Sequence, residues 1–508
     1  MAKAFFLLTM AEYERIMHFA TRMSQNKERG RTIMHSLDKR WKELLFAANS
    51  FGPNLLFTLL GAYLTDALNP IGLTANLESW SLTGYCLVVP SMFGITWALS
   101  KVFDGLIDIP LAHLTDNIRT RWGRRRPMFL LSLIPQIITF LLVWTPLEFR
   151  ENSVLNTLWI GFMLLGYYAS YTLSMITFFG SSSSICKDEA QRVRVGNFKS
   201  FFDTIGFCLV YALLPIFISK GINIRTVALC AMPLMLTLLI PLFLIKEGDK
   251  YGQGKDYLPQ ARVPLKDSLR LTLRNRLFLR WIIPNACAYF GLNMFLASQN
   301  TLISGVMNLP ANWAAIMNTC AFAPVPLMLF IYYKMIQKKG IRFSYRVAIG
   351  SFAIAILNFC LGSEFLFPHN VTARIVIGCV GGFFGSFGIG AFFATPYMVP
   401  AQIAAMEFKT NGKDHTAMYF AIQSLATSVV AAISTGLVYE QVKNIVSPKV
   451  IDGVVQAGET WKIGVSLVPV ILSLMCIFGF IMAGRMPKQY SEEVVAKEVE
   501  RIESKQKA

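Results

Sequence analysis

Lys101, Asp104 and Asp108 lie in one long apolar stretch at spacings of three and four, so a helix there places all three on one face. Two carboxylates one turn apart can supply anionic oxygens to Na⁺, or hold a proton when like-charge repulsion and poor solvation favour it. An ammonium one turn earlier can balance the remaining charge when the site is empty. At the centre of a bilayer each charge costs roughly 2.5–3.5 kcal/mol on insertion scales, so three together persist only where they face protein, water or a bound ion. The competing reading is a buried structural ion pair between Lys101 and Asp104 with no part in transport.

The elements around this triplet are those of a polytopic membrane protein. Of the 508 residues, 54% are hydrophobic and only 15% charged, which excludes an ordinary soluble domain or a disordered polymer. Twelve apolar windows, each long enough to cross a hydrocarbon core, lie at about 44–66, 84–113, 127–146, 156–180, 198–219, 225–246, 279–304, 311–335, 345–366, 373–400, 414–440 and 463–485. Windows this long and continuous predict helices rather than barrel strands, hence an all-α membrane fold. With the N-terminus inside, 40 of the 48 basic residues fall in cytoplasmic segments counted with their span ends, and 7 fall outside. The asymmetry predicts cytoplasmic termini, and it accounts for the net charge of +18 through an anionic leaflet, with no nucleic-acid partner.

Nine cysteines are scattered without a CxxC pair or metal-ligand spacing, so they read as apolar packing residues and no cofactor is expected. The basic N-terminal segment lacks the pattern of a removed signal peptide and reads as a cytoplasmic extension. There is no P-loop, HExxH or nucleophile elbow in the sequence, so an enzyme or an ATP-driven pump within this chain is not expected. His415, near a membrane edge, reads as a surface histidine.

The longest polar interruption, about 247–275, divides the spans six and six. The expected organisation is an N-terminal extension (1–42), a six-helix bundle (43–246), a cytoplasmic loop (247–277), a second bundle (278–486) and a cytoplasmic tail (487–508). Weak repetition supports it: DNIRTRWGRRRP (116–127) has a counterpart in KKGIRFSYR (338–346), both basic and Gly-containing. Gly378 and Gly382, four apart in span ten, predict close helix approach, and Pro53, Pro110, Pro284 and Pro396 predict local kinks with freed carbonyls.

The run KVFDGLIDIPLAHLTDNIRTRWGRRRP (101–127) closely resembles the glycoside-pentoside-hexuronide:cation symporter family of the major facilitator superfamily. Weaker echoes occur at 51–66, at Tyr171-Thr172 and at 407–423, so the likeness covers roughly residues 41 to 487. The resemblance implies the major facilitator fold of two pseudo-symmetric six-helix bundles. It also implies that Asp104 and Asp108 bind the coupling cation with Thr172 as a hydroxyl ligand. Sodium-using relatives carry an Asn immediately before the second Asp, where this chain has Ile107. Losing one oxygen ligand harms Na⁺ more than H⁺, so the coupling ion is H⁺ or Na⁺ with the balance toward H⁺.

The substrate side departs from the family. Ser50 stands near a family Asp of span one, Met175 near its span-four Asp and Ser428 near its span-eleven Lys, so those charged sugar anchors are absent. Lys199 lies near a family Arg, and Asp203 follows by one turn as an added acid. Sugar hydroxyls stripped of water need hydrogen-bonding replacements, and the available groups in the first half are Ser50, Asn54, Tyr171, Phe179, Lys199 and Asp203. In the second half they are Asn285, Asn293 and Gln423, for each of which an interhelical packing bond is an equally available role. Asp116, with Arg119, Arg121, Arg124, Arg125 and Arg126, forms the expected cytoplasmic gate, a set of salt bridges released as the halves rock.

The function implied is secondary active symport of a sugar, glycoside or similar small polar solute, driven by H⁺ or Na⁺, in a cell membrane, by a carrier for which a monomer suffices. An amphiphile such as a lysophospholipid is the alternative cargo. A membrane sensor that does not transport is the third class.

Overall fold

A computed structural model of the chain describes residues 37–71, 73, 76–117, 120–123, 125–186, 189–246, 272–411, 416–445, 449–451, 454–456 and 467–507. His415, Arg119, Arg124 and most of the expected central loop lie outside the described residues, as does the Asp116 side chain.

The first half opens with α1 (Arg40–Ala48) and α2 (Phe51–Leu68), followed by the short α3 (Leu77–Trp80). Then come α4 (Pro90–Asn117), α5 (Arg126–Val143), α6 (Val154–Ile185) and α7 (Glu189–Ser219). Span six is composite: α8 (Ile224–Ala231), a 3₁₀ stretch (Met232–Leu239) and α9 (Ile240–Leu244). In the second half α10 (Arg276–Asn300) continues into a π-turn segment (Thr301–Val306), and α11 (Ala311–Phe322) with α12 (Val325–Lys339) makes the next crossing. α13 (Ile341–Leu361), α14 (Val371–Asn411) and α15 (Thr416–Ala431) follow, the last continuing through a π segment (Ala432–Tyr439) into α16 (Glu440–Ile445). α17 (Val468–Ala483) is the final crossing, and α18 (Glu492–Lys507) closes the chain.

Eight of these crossings are long and apolar enough to span a membrane by length and composition alone. The other four are α4, which carries the buried charges, α10, α13 and the 16-residue α17. Exposed side chains on α17, Val470, Leu474, Ile477 and Ile481, recur at helical spacing, as Ile134, Ile138 and Leu141 do on α5. Such outward apolar stripes belong against lipid chains. One departure from an all-helical chain is a short antiparallel hairpin, Lys449–Ile451 with Val454–Gln456, between α16 and α17.

Proline shapes several spans, because each removes the N–H that would bond the carbonyl four residues earlier. Pro53 frees the Asn49 carbonyl where α1 breaks from α2, and Thr237 Oγ1 of span six donates to it at 3.0 Å. Pro215 frees the Tyr211 carbonyl, which accepts from Asn318 Nδ2 of α11 at 2.9 Å. Pro400 frees the Pro396 carbonyl, which accepts from Gln423 Nε2 of α15 at 2.9 Å. The gaps that proline leaves in the helical hydrogen bonding are therefore also interhelical joints, as a low-dielectric interior requires of any orphaned carbonyl.

Small residues set the closest helix contacts. A Cβ at Gly378 or Gly382 of α14 would meet Met317 or the Ala321 backbone of α11 within 3.2 Å. Gly123 and Gly340, in the two basic segments that resemble each other in sequence, both hold positive φ (98° and 84°), a conformation that favours glycine. The C-terminal tail does not hang free: Val495 and Val499 of α18 are buried, and Glu498 accepts from the Arg276 amide at 2.7 Å, capping α10.

Candidate functional site

Two polar clusters meet at α6. On one side the Thr172 hydroxyl donates to Asp104 Oδ1 at 2.8 Å. Asp108, one turn further along α4, faces the Ser424 hydroxyl of α15. Gly105 lets that turn approach the second half, since a Cβ there would lie 2.8 Å from Ser428. The carboxylate pair thus sits where α4 of one half crosses α15 of the other.

Lys101 is 9% exposed, and among the described residues it makes no salt bridge with Asp104. Its ammonium lies instead over the Tyr168 ring at 4.1 Å and the Phe57 ring at 4.4 Å, with Trp97 at 5.9 Å. The aromatic faces supply negative quadrupole charge in place of a carboxylate.

On the other side of α6 the Tyr171 hydroxyl donates to Asn54 Oδ1 at 2.6 Å. Asn54 Nδ2 in turn donates to Asp203, which also accepts from Lys199 Nζ at 2.6 Å and from Ser50 Oγ at 3.3 Å. Lys199 stands 5.4 Å from the centre of the Phe179 ring, which is 46% exposed. All six first-half candidates, Ser50, Asn54, Tyr171, Phe179, Lys199 and Asp203, therefore form one connected group drawn from α2, α6, α7 and the α1–α2 break. Its arrangement of donors and acceptors beside an open aromatic face is the kind that holds a polyhydroxylated solute.

The three second-half candidates are not joined to it. Gln423 is engaged at both ends, donating to the Pro396 carbonyl and accepting from the Trp281 indole at 2.8 Å. Asn293 donates to the Tyr289 carbonyl one turn back on its own helix at 2.8 Å. Asn285 is fully buried, and neither of its amide atoms has a hydrogen-bond partner among the described residues. In the basic loop, Arg125 is buried with its guanidinium against Gly180 of α6, whereas Arg121 is exposed and Arg126 half-buried.

A further cluster was not anticipated from the sequence. Asp66, at the far end of α2, pairs with Lys443 of α16 at 2.7 Å and accepts from Asn300 of α10 at 2.9 Å. Lys443 also donates to the Asn69 carbonyl at 3.0 Å, while Asn69 Nδ2 donates to Glu440 at 3.3 Å. Asp66 and Lys443 are 1% and 0% exposed, so this is a desolvated ionic joint between the two halves. Trp97 Nε1 to Thr435 at 3.1 Å and Ala311 N to Asn76 Oδ1 at 3.1 Å are further hydrogen bonds between the halves. The available signal was an acid near one end of span one, Asp66, and a lysine with an acid one turn before it at the end of span eleven, Lys443 and Glu440. Charge at a span end is ordinary, which concealed it.

The profile of the MFS/sugar transport protein family matches residues 46–483, and the chain belongs to that family. Among curated relatives, the glucuronide carrier protein homolog of Escherichia coli is 27% identical over 124 residues, 24% of this chain and 27% of that protein. The isoprimeverose transporter of Lactiplantibacillus pentosus is 20% identical over 267 residues, 51% of this chain and 52% of that protein. The chain spans only about a third of the length of the first curated relatives it matches. In fold it is similar to the D-xylose-proton symporter, with a TM-score of 0.59 at 12% identity over 89% of this chain and 99% of that one. The nucleoside transporter NupG gives 0.55 at 13% identity over 87% and 98%. The fold is that of the major facilitators, with twelve helical crossings in two pseudo-symmetric six-helix bundles.

Proposed function

We propose that this chain is a secondary active transporter that couples a cation to the movement of a sugar or glycoside by alternating access. The carrying observation is the step between Tyr171 and Thr172. Adjacent residues on α6 engage the two clusters, Thr172 on the Asp104 carboxylate and Tyr171 on the Asn54–Asp203–Lys199 group. Neutralising one cluster therefore bears directly on the geometry of the other.

In this reading the cation occupies Asp104 and Asp108 with the Thr172 hydroxyl beside them, and the ion is H⁺ rather than Na⁺ because Ile107 offers no oxygen. Unneutralised carboxylates resist burial, so the carrier loaded with substrate alone rarely crosses, and that penalty enforces coupling. The relatives' printed names, a glucuronide carrier homolog, an isoprimeverose transporter and a D-xylose-proton symporter, agree with a sugar or glycoside cargo.

We place both termini in the cytoplasm of a cell membrane, with residues 43–246 and 278–486 as the rocking halves of a functional monomer. In this orientation the Asp66–Lys443 joint closes the external end of the interface between the halves. A substrate-panel uptake assay in sealed vesicles, with Na⁺ and pH gradients imposed separately, tests the reading. Accumulation of a sugar or glycoside under one imposed gradient is expected. Competition by lysolipids alone, or uptake indifferent to both gradients, contradicts it.

A further inference from the structure

Phe57 occupies a position that the coupling scheme leaves without a task. It projects from α2 with the Tyr171 ring stacked on it at 4.3 Å and 19° and the Lys101 ammonium 4.4 Å from its centre. Phe57 thus contacts a residue of each polar cluster, Lys101 beside the carboxylates and Tyr171 beside Asn54. The Tyr168 ring, edge-on to Phe57 at 5.8 Å, supplies the second wall under the ammonium at 4.1 Å.

Lys101 lies one turn before Asp104 on the same helix, and a flexible four-carbon stem can swing its ammonium toward that carboxylate. In a buried site an ammonium on Asp104 would exclude any other cation. The observed side chain is instead parked on aromatic faces, which attract a desolvated cation without neutralising a carboxylate.

We propose that Phe57 and Tyr168 form a seat that holds the Lys101 ammonium off Asp104 and so keeps the carboxylate available to the coupling cation. Phe57 is thus a positioning residue that acts on the cation site through Lys101. Because the Phe57 ring also stacks on Tyr171, occupancy of the seat also bears on the polar cluster. The inference rests on the reading of Asp104 as the cation site.

The test uses the purified full chain in detergent, with cation affinity read from thermal stabilisation by sodium chloride against choline chloride and, for protons, from the pH dependence of the melting temperature. Phe57→Leu keeps apolar bulk and removes the ring face. The apparent affinity for whichever cation stabilises the wild type is expected to fall about two- to thirty-fold. Phe57→Tyr restores it. In a Lys101→Met background the same Phe57→Leu change causes no further loss, because no ammonium remains to compete.

An unchanged affinity in Phe57→Leu overturns the inference, and so does an equal loss with Lys101 absent, which would make Phe57 a packing residue only. A wild-type protein indifferent to both ions overturns the cation reading of Asp104 and the seat with it. A wild-type response combined with an indifferent Phe57→Leu overturns the seat alone.

Discussion

At the residue scale, the proposed coupling depends on single hydrogen bonds to desolvated carboxylates. Thr172 donates one such bond to Asp104, and bonds to charged groups contribute about 1.5–3 kcal/mol. Thr172→Val, nearly isosteric but without the hydroxyl, is therefore expected to change cation affinity about tenfold or more while leaving cation-free exchange of substrate in place. Equilibrium binding of the cation to the purified variant checks it, and an unaltered affinity would remove Thr172 from the site. The charged triplet was legible because ionisable residues in an apolar window are costly wherever they lack a partner. The posture of Lys101 was not legible: spacing along α4 shows that it can reach Asp104, but Phe57 and Tyr168 arrive from two other helices.

At the scale of elements, the spans are tied together where proline has broken a helical bond. Gln423 shows how such a joint looks like a ligand contact in sequence. An amide in an apolar window has either role open to it, and only the tertiary fold reveals that its two ends meet the Pro396 carbonyl and the Trp281 indole. Gln423→Leu leaves both groups buried and unpaired, at about 1–3 kcal/mol each, so a clear fall in thermal stability is expected with little change in KM for the transported solute. Adding Pro400→Ala supplies the missing amide to Pro396 and is expected to recover part of the loss. A large rise in KM with normal stability would instead assign Gln423 to the substrate. The crossings themselves were readable from hydropathy. The docking of α18 was not, because its amphipathic pattern specifies an apolar face without saying what covers it.

At the scale of the whole molecule, the two halves are locked at one end by buried charge. The first-half polar cluster lies twelve residues before Asp66 along the same span, about 18 Å at helical rise, so seal and site are separate in depth. Removing one partner of a buried pair costs about 3–5 kcal/mol because the other charge is left uncompensated. Lys443→Met is therefore expected to weaken the closed seal and shift the population toward the outward-open arrangement. Cys86 is a native reporter: its thiol is 6% exposed and lies 3.5 Å from Asn69 Oδ1 within the seal. Site-resolved mass spectrometry after a membrane-impermeant maleimide is added from outside should show Cys86 slow to react in the wild type and faster in Lys443→Met. Equal rates would deny the joint a gating role. The two-bundle plan was legible from the central polar break and the weak repeat, but nothing in one sequence shows which end of the interface is sealed.

The central claim, that Asp104 carries the ion whose gradient drives substrate uphill, is tested most directly by comparing gradient-driven accumulation with equilibrium exchange in vesicles containing wild-type protein or Asp104→Asn. The account predicts that the variant loses accumulation to the level of empty vesicles while exchange of labelled for unlabelled substrate continues. Undiminished uphill uptake by Asp104→Asn would contradict it.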